Sequence, residues 1–367
     1  MIRLGLIVNP VAGMGGRVGL KGTDGAETVR RARELGARPV APGRADRALA
    51  RLERRRDDVA IVAAARAMGG DVARARGFRT ELLAAGDRDE TSADDTRAAA
   101  GELERREVDL ILFAGGDGTA RDVVDAVGTR VPILGVPTGV KMHSAVFATS
   151  PEAAGDLAAA QLAAAPRFRE VEVMDVDEEA LRAGRMSARL HGVARVPVDR
   201  ARVQHPKAAS RPADAGLDAL CRRVAEESDR LTLVGPGTTT QRILAHLGVE
   251  GTLLGVDAVE RGRLVGRDLN EAQLLELLDG RAARIVVGVV GGQGYVFGRG
   301  NQQLSPEVIR RVGTDRIEIV ASLDKVLALD PPALRVDTGD PELDAELAGF
   351  RRVRVAPGRT LVLEVTT

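Results

Sequence analysis

The chain has 367 residues, 44% hydrophobic and 29% charged, with 53 basic side chains balanced by 53 acidic ones. That length exceeds what one hydrophobic core usually serves, so two domains are expected, and the balanced charge removes the basic footprint of a duplex-binding protein. Aromatic residues at 2% leave no stacking platform for single strands, and a lone Cys221 leaves neither an internal disulfide nor a cysteine-rich zinc site.

Nucleic acid is therefore not expected as a partner, and the cysteine usage suits a reducing cytoplasm. No apolar run approaches the ~20 residues needed to span a bilayer, and the first residues, MIRLGLIVNP, lack the charged and apolar segments of a signal peptide. A cytoplasmic protein with no membrane partner is the expectation. Four of the basic residues are lysines, Lys21, Lys141, Lys207 and Lys325, so each is worth attention.

In chain order, IRLGLIVNP reads as an apolar strand ending in Asn9 and Pro10, followed by the glycines of VAGMGGRVG. Residues 24–36 read as a helix, RPVAP as a short strand, and 44–56 as a charged helix. DVAIVAAA is a third strand candidate, and RTELLAAG and the helical TSADDTRAAAGELERREV lead on from it. VDLILFAGG and VPILGVPTG are further buried strands. Apolar strands alternating with helices indicate βαβ units around a largely parallel sheet, expected over residues 1–150. Beyond it an Ala-rich helix leads into shorter strands separated by Gly turns, a β-rich domain over 151–350 with an inserted helix in KAASRPADAGLDALCRRVAEES. Residues 351–367 form a terminal strand.

The stretch ILFAGGDGTARD places Gly115, Gly116 and Gly118 around Asp117 at the carboxyl end of a buried strand, the edge where open parallel sheets bind ligands. Glycine lets a ligand approach the main chain, and the N–H groups of a following helix attract anions. A tight strand-to-helix turn would explain the glycines equally. Thr119 and Asp122 have capping-box spacing, so the plain reading is that they start the helix. Asp117 differs: an acid in a phosphate turn repels the phosphates unless a cation or a substrate hydroxyl intervenes. The spacing is not G-x-G-x-x-G, and no Gly-Lys pair forms a P-loop.

Three further stretches carry candidates. In GPGTTTQ, Gly235 and Gly237 bracket a turn before Thr238, Thr239 and Thr240; one threonine is expected as the N-cap, and binding or capping accounts for the others. In GVPTGVKMHS, Thr138 and Gly139 end a strand, Lys141 is either a phosphate contact or a solvated surface lysine, and His143 reads as packing or capping. In GGQGYVFGRGNQQ, Gly291 and Gly292 read as a hairpin turn, and Arg299, Asn301 and Gln302 as a polar turn. The acidic run MDVDEE, with Asp175, Asp177 and Glu178, reads as a solvated turn.

GGDGT after a strand, with IVNPVAGMGG before it and VGPGTTTQRIL after it, resembles the ATP-NAD kinase superfamily. GVPTGVKMHSAVFA, GGQGYVFGRGNQQLSP and VDTGD are similar to its AcoX-like bacterial and archaeal branch. The resemblance implies a phosphofructokinase-like N-terminal α/β domain, a C-terminal β-rich domain, an active site in the cleft between them, and a final strand returning to the first domain. It implies transfer of a phosphoryl group from ATP or polyphosphate to a hydroxyl of NAD, with Mg²⁺ or another divalent metal, in NADP biosynthesis, by an enzyme whose relatives are homo-oligomers. Asp117 matches the aspartate that orients and deprotonates the acceptor, facing the metal only indirectly through the phosphates. Asn9, Gly115, Gly116, Gly118, Thr119, Thr138, Gly139, Lys141, Gly237, Thr238, Thr239, Thr240, Gly291, Gly292 and Asn301 fall on nucleotide-binding positions, and Asp175, Asp177 and Glu178 on ribose or metal positions.

The sequence departs from the better-known NAD kinases in one respect. Their Asn-Glu or Asn-Asp pair that grips the dinucleotide ribose is missing where it should be; Asn270 and Glu271, the sole such pair, read as an ordinary helix start. The acceptor is thereby open, and so are two other readings on the same fold: a lipid kinase, or a nucleotide-binding regulator that has lost transfer.

Overall fold

Short apolar runs alternating with helix formers should fold as parallel βαβ units, and the computed structural model, which describes residues 2–20, 22, 25–86, 91–139, 142–161, 167–176, 188–199, 203 and 215–367, contains them. The chain divides into two compact units: Met1–Met14 with Gly22–Pro206, and Gly15–Lys21 with Lys207–Thr367.

Among the described residues the first unit holds a five-stranded sheet of β1 (Ile2–Val8), β2 (Val59–Ala63), β3 (Arg79–Leu82), β4 (Leu110–Gly115) and β5 (Ile133–Pro137). The order is β3-β2-β1-β4-β5, and every neighbouring pair is parallel. β4 and β5 are buried along their whole length. That is why they read as continuous apolar runs rather than alternating ones: helices cover both faces of such a sheet. The strand order reverses between β1 and β4, which makes a crevice at their carboxyl ends.

The first unit extends beyond the boundary expected at 150. After β5 the chain loops round to lie beside that strand in a parallel bridge, with Gly135 N–H donating to Val146 O and Ala148 N–H to Gly135 O, both at 2.9 Å. The antiparallel ribbon of β6 (Phe168–Val176) and β7 (Ala188–Pro197) is then tied to the same segment, Ala145 N–H donating to Glu172 O at 3.2 Å and Met174 N–H to Ser144 Oγ at 3.0 Å. These bonds make the ribbon part of the first unit.

The second unit holds a nine-stranded sheet among the described residues. Its strands are β8 (Leu231–Val234), β9 (Val256–Glu260), β10 (Arg263–Leu269), β11 (Ala283–Gly288), β12 (Tyr295–Phe297), β13 (Ile317–Val320), β14 (Ala333–Val336), β15 (Gly349–Ala356) and β16 (Arg359–Thr366). Their order is β10-β9-β8-β11-β13-β15-β16-β14-β12, with β8, β11, β13 and β15 running parallel. The expected terminal strand of residues 351–367 covers most of a hairpin of β15 and β16, and β16 also pairs with β14.

Three local expectations change. RPVAP is not a strand: Ala41 and Pro42 open the helix Ala41–Ala50, where a proline in the first turn forfeits no hydrogen bond. Gly291 and Gly292 lie in a turn closed by Val290 N–H to Tyr295 O at 2.9 Å, but the flanking β11 and β12 do not pair, because β11 already has β8 and β13 on either side. The polar turn at 298–302 is internal. Arg299 donates to Asp337 Oδ2 at 2.7 Å with both side chains almost fully buried, and its guanidinium lies 4.3 Å from the Tyr295 ring centroid.

Removing one partner of a buried pair strands the other charge. Arg299→Met should therefore destabilise the protein by about 3–5 kcal/mol in urea denaturation; a loss below about 1 kcal/mol would show that the pair contributes little to the fold.

Candidate functional site

The carboxyl ends of β1, β4 and β5 meet at the switch point of the first sheet, and each delivers a residue singled out in the sequence. Asn9 follows β1; its N–H donates to Ala114 O at 2.9 Å and its Nδ2 to Thr119 Oγ1 at 2.9 Å, so it bridges the crevice to the helix Asp117–Val127. Thr138, buried, follows β5 and donates its N–H to Gly115 O at 3.3 Å. Gly13, at φ +77°, lets the β1 loop lie on this edge: a Cβ there would sit 2.1 Å from Thr138 O.

Gly116 is the N-cap of the helix, so no side chain accepts from its first-turn N–H groups. Those groups lack intrahelical partners, and with the helix dipole they favour an anion. The helix starts at Asp117, three residues earlier than the capping-box reading of Thr119 and Asp122 placed it. Thr119 instead accepts from Asn9, and Asp122, buried one turn further on, pairs with Arg97 at 2.8 Å.

Asp117 is 9% exposed, and both its oxygens are engaged. Oδ2 accepts the N–H of His143 at 2.7 Å, and Oδ1 accepts the N–H of Ser144 at 3.0 Å. The carboxylate thus fixes the segment that leaves β5, whose Ser144 side chain is itself buried and bonded to β6. Bonds from main-chain N–H groups to an ionised carboxylate are among the stronger kinds. The acid that the sequence marks as catalytic is also the anchor of its own surroundings.

The other candidates divide by location. Gly139 (φ +119°) lies beside Thr138, whereas Lys141, Asp177 and Glu178 lie outside the described residues. Asp175 is not a solvated turn residue: Arg189 binds it at 2.9 Å and Arg121, on the helix that follows Gly116, also bonds it. Burial pushes the Asp175 carboxyl up, but the bonds from Arg189 and Arg121 outweigh it and leave it below the ordinary carboxylate range.

In the second unit, Gly237 (φ +130°) rather than a threonine is the N-cap of the helix Thr238–His246, again without a side-chain cap. Thr238 is exposed. Thr240 turns inward and donates to Gly237 O at 2.9 Å, while Thr239 Oγ1 accepts from Lys325 Nζ at 3.5 Å. Lys325 was not placed at a site from the sequence, although the scarcity of lysine was a signal that could have found it. Asn301 accepts from Gly298 N–H at 3.0 Å and donates to Val296 O at 2.8 Å, so its side chain is spent on the turn. Asn270 caps the helix Glu271–Leu277 in a capping box with Gln273, as its sequence suggests.

Among the described residues no group of three or more His, Cys, Asp and Glu side chains could hold a metal ion, and the Asp117 and Asp175 oxygens already have partners. Nor, among the described residues, is any helix long and apolar enough to cross a membrane.

The model of the ATP-NAD kinase N-terminal domain matches residues 4–164, and that of the ATP-NAD kinase C-terminal domain matches residues 228–365, together most of the chain. No curated protein and no solved structure matches it. The chain belongs to the ATP-NAD kinase family, and its parallel-sheet first unit and β-rich second unit are the two domains of that architecture.

A Cβ at Gly115 would lie 2.4 Å from both Cβ and Oγ1 of Thr119. Gly115→Ala should therefore force the turn open and lower stability by about 1–3 kcal/mol. An unchanged urea midpoint would mean that the turn has room the geometry denies it.

Proposed function

We propose that this ATP-NAD kinase family member transfers the γ-phosphoryl group of ATP to a hydroxyl of NAD or a related nucleotide. The observation that carries the reading is the pairing, at one sheet edge, of an uncapped helix N-terminus with a fixed carboxylate one residue inside it. The first suits a phosphate chain; the second suits the oxygen that attacks it.

In this reading Gly115, Gly116, Gly118 and Thr119 lie against the donor phosphates, with Asn9, Thr138 and Gly139 shaping the adjoining floor. Asp117 orients the acceptor hydroxyl in line; its two main-chain bonds hold it still, and each oxygen keeps a further lone pair for a ligand. Phosphoryl transfer asks mainly for positioning and neutralisation of charge, so few reactive side chains are required. A Mg²⁺ ion would come with the nucleotide, since the described carboxylates offer no ready ligand set. The motifs GVPTGVKMHSAVFA and VDTGD support placement in the AcoX-like branch, with homo-oligomers and polyphosphate as an alternative donor carried over by that resemblance.

One observation favours a second reading. Both Asp117 oxygens already accept a main-chain N–H and the ribose-gripping Asn-Glu pair is missing from its expected place, as in a nucleotide-binding regulator that has kept the fold. Incubation with ATP, Mg²⁺ and NAD separates the two: NADP and ADP in equal amounts support the kinase, and nucleotide binding without product supports the regulator.

Asparagine has one acceptor oxygen where two N–H groups need acceptance, so Asp117→Asn should disturb the 143–144 segment as well as the chemistry. We expect turnover to fall by roughly 10²- to 10⁴-fold, with ATP affinity retained in calorimetry. Unchanged turnover would remove Asp117 from the mechanism.

A further inference from the structure

At the amino ends of its strands, the edge opposite the candidate site, the first sheet borders a hollow. A cavity of about 410 Å³ lies there, walled by Leu4 of β1, Leu52, Val59 of β2, Leu110 of β4 and Ala158 of the helix Pro151–Gln161, all of them buried. Protein interiors are close-packed and leave few voids larger than a water molecule, so an apolar hollow of ligand size calls for a cause. Two polar side chains border it without being spent on the fold. Gln161, the last residue of that helix, makes no hydrogen bond among the described residues; its Oε1 is buried without a partner, which leaves the NH₂ end of the amide as the part open to the cavity. A polar group left unmatched in this way needs an explanation, and a ligand supplies one. Arg195 of β7 lies with its guanidinium 5.2 Å from the Phe168 ring centroid and gives one N–H to Thr129 O at 3.4 Å. No carboxylate pairs with it among the described residues, and a guanidinium has further donors to offer. Asp109, the one acid on the cavity wall, already accepts the N–H of Arg3 on Oδ2 at 2.8 Å.

We propose that this cavity binds a small apolar monocarboxylate, with its hydrocarbon part in the hollow, its carboxylate on the Arg195 guanidinium and the Gln161 amide as a second donor. Burying hydrocarbon against the leucine and valine walls supplies the non-directional part of the affinity. The guanidinium supplies the directional part, since it meets a carboxylate with paired, charge-assisted bonds that a neutral group cannot reproduce. The six residues of β4 separate this hollow from the turn at Gly115 and Gly116, so the site is distinct from the phosphate edge. The inference therefore stands whichever hydroxyl accepts the phosphoryl group.

The test is calorimetric titration of the protein with octanoate and with phenylbutyrate, each beside its neutral amide, and with phenylbutylamine. At least one acid should bind with Kd below about 1 mM, and its amide and the amine at least about tenfold more weakly. Tighter binding of octanoate assigns the site to fatty acids and tighter binding of phenylbutyrate to aromatic acids; either supports the proposal. Arg195→Met, which keeps an apolar stem, and Gln161→Glu, which sets a like charge against the carboxylate, should each weaken binding at least about tenfold. Ala158→Phe, which fills the hollow, should abolish it. No binding of either acid, binding of acid and amide alike, preference for the amine, or acid binding that survives Arg195→Met would overturn the proposal. Should a variant not fold, as shown by its circular dichroism, the comparison of acid, amide and amine on the wild-type protein decides.

Discussion

The first unit depends on one carboxylate shared by two main-chain N–H groups. Asp117 starts the helix after β4, and its oxygens receive His143 and Ser144 from the segment after β5. The segments that follow β4 and β5 are thereby joined by charge-assisted bonds, not only by sheet hydrogen bonds. The arrangement has a functional consequence: a group held by two rigid donors loses little motion when a ligand arrives, the condition that in-line transfer requires. It also places a negative charge at the N-terminal end of a helix, where the dipole favours it.

The rest of the edge is built to let main chain approach main chain. Gly13 rests against Thr138 O, Gly115 against the Thr119 side chain, and Asn9 ties the β1 end to that same threonine. At Gly13 and Gly115 a Cβ would come within 2.1 and 2.4 Å of those neighbours, so only glycine fits there. The second unit has a similar device at Gly237, where the N-cap lacks a side chain and three threonines follow in the first turn. The side chains of Arg299 and Asn301 in the 298–302 turn bond inward to Asp337, Tyr295 and main-chain groups.

Much of the first unit was legible because its strands are buried on both faces and read as unbroken apolar runs, and because GGDGT stands out against them. The family was legible for the same reason, since its marks are glycine turns at fixed places in the chain. What the sequence concealed were pairings between distant residues. The partner of Asp117 lies 26 residues away and offers its main chain, which any residue could supply. Asp175 looked solvated because Arg121 and Arg189 are remote in sequence. The β14 strand, only four residues long, and the ribbon's attachment to the first unit depend on tertiary contacts that no local period reports. His143 read as packing because a lone histidine among apolar neighbours usually is; its role as a main-chain donor to Asp117 depends on the fold, not on its side chain.

The most direct test is a crystal structure of the protein with a non-hydrolysable ATP analogue, Mg²⁺ and NAD. The account predicts phosphate oxygens against the N–H groups of residues 116–119, with Asp117 still bound to His143 and Ser144 and a nucleotide hydroxyl within hydrogen-bond reach of that pair. Phosphates bound away from this helix start, or a wall of side chains between the hydroxyl and Asp117, would contradict it.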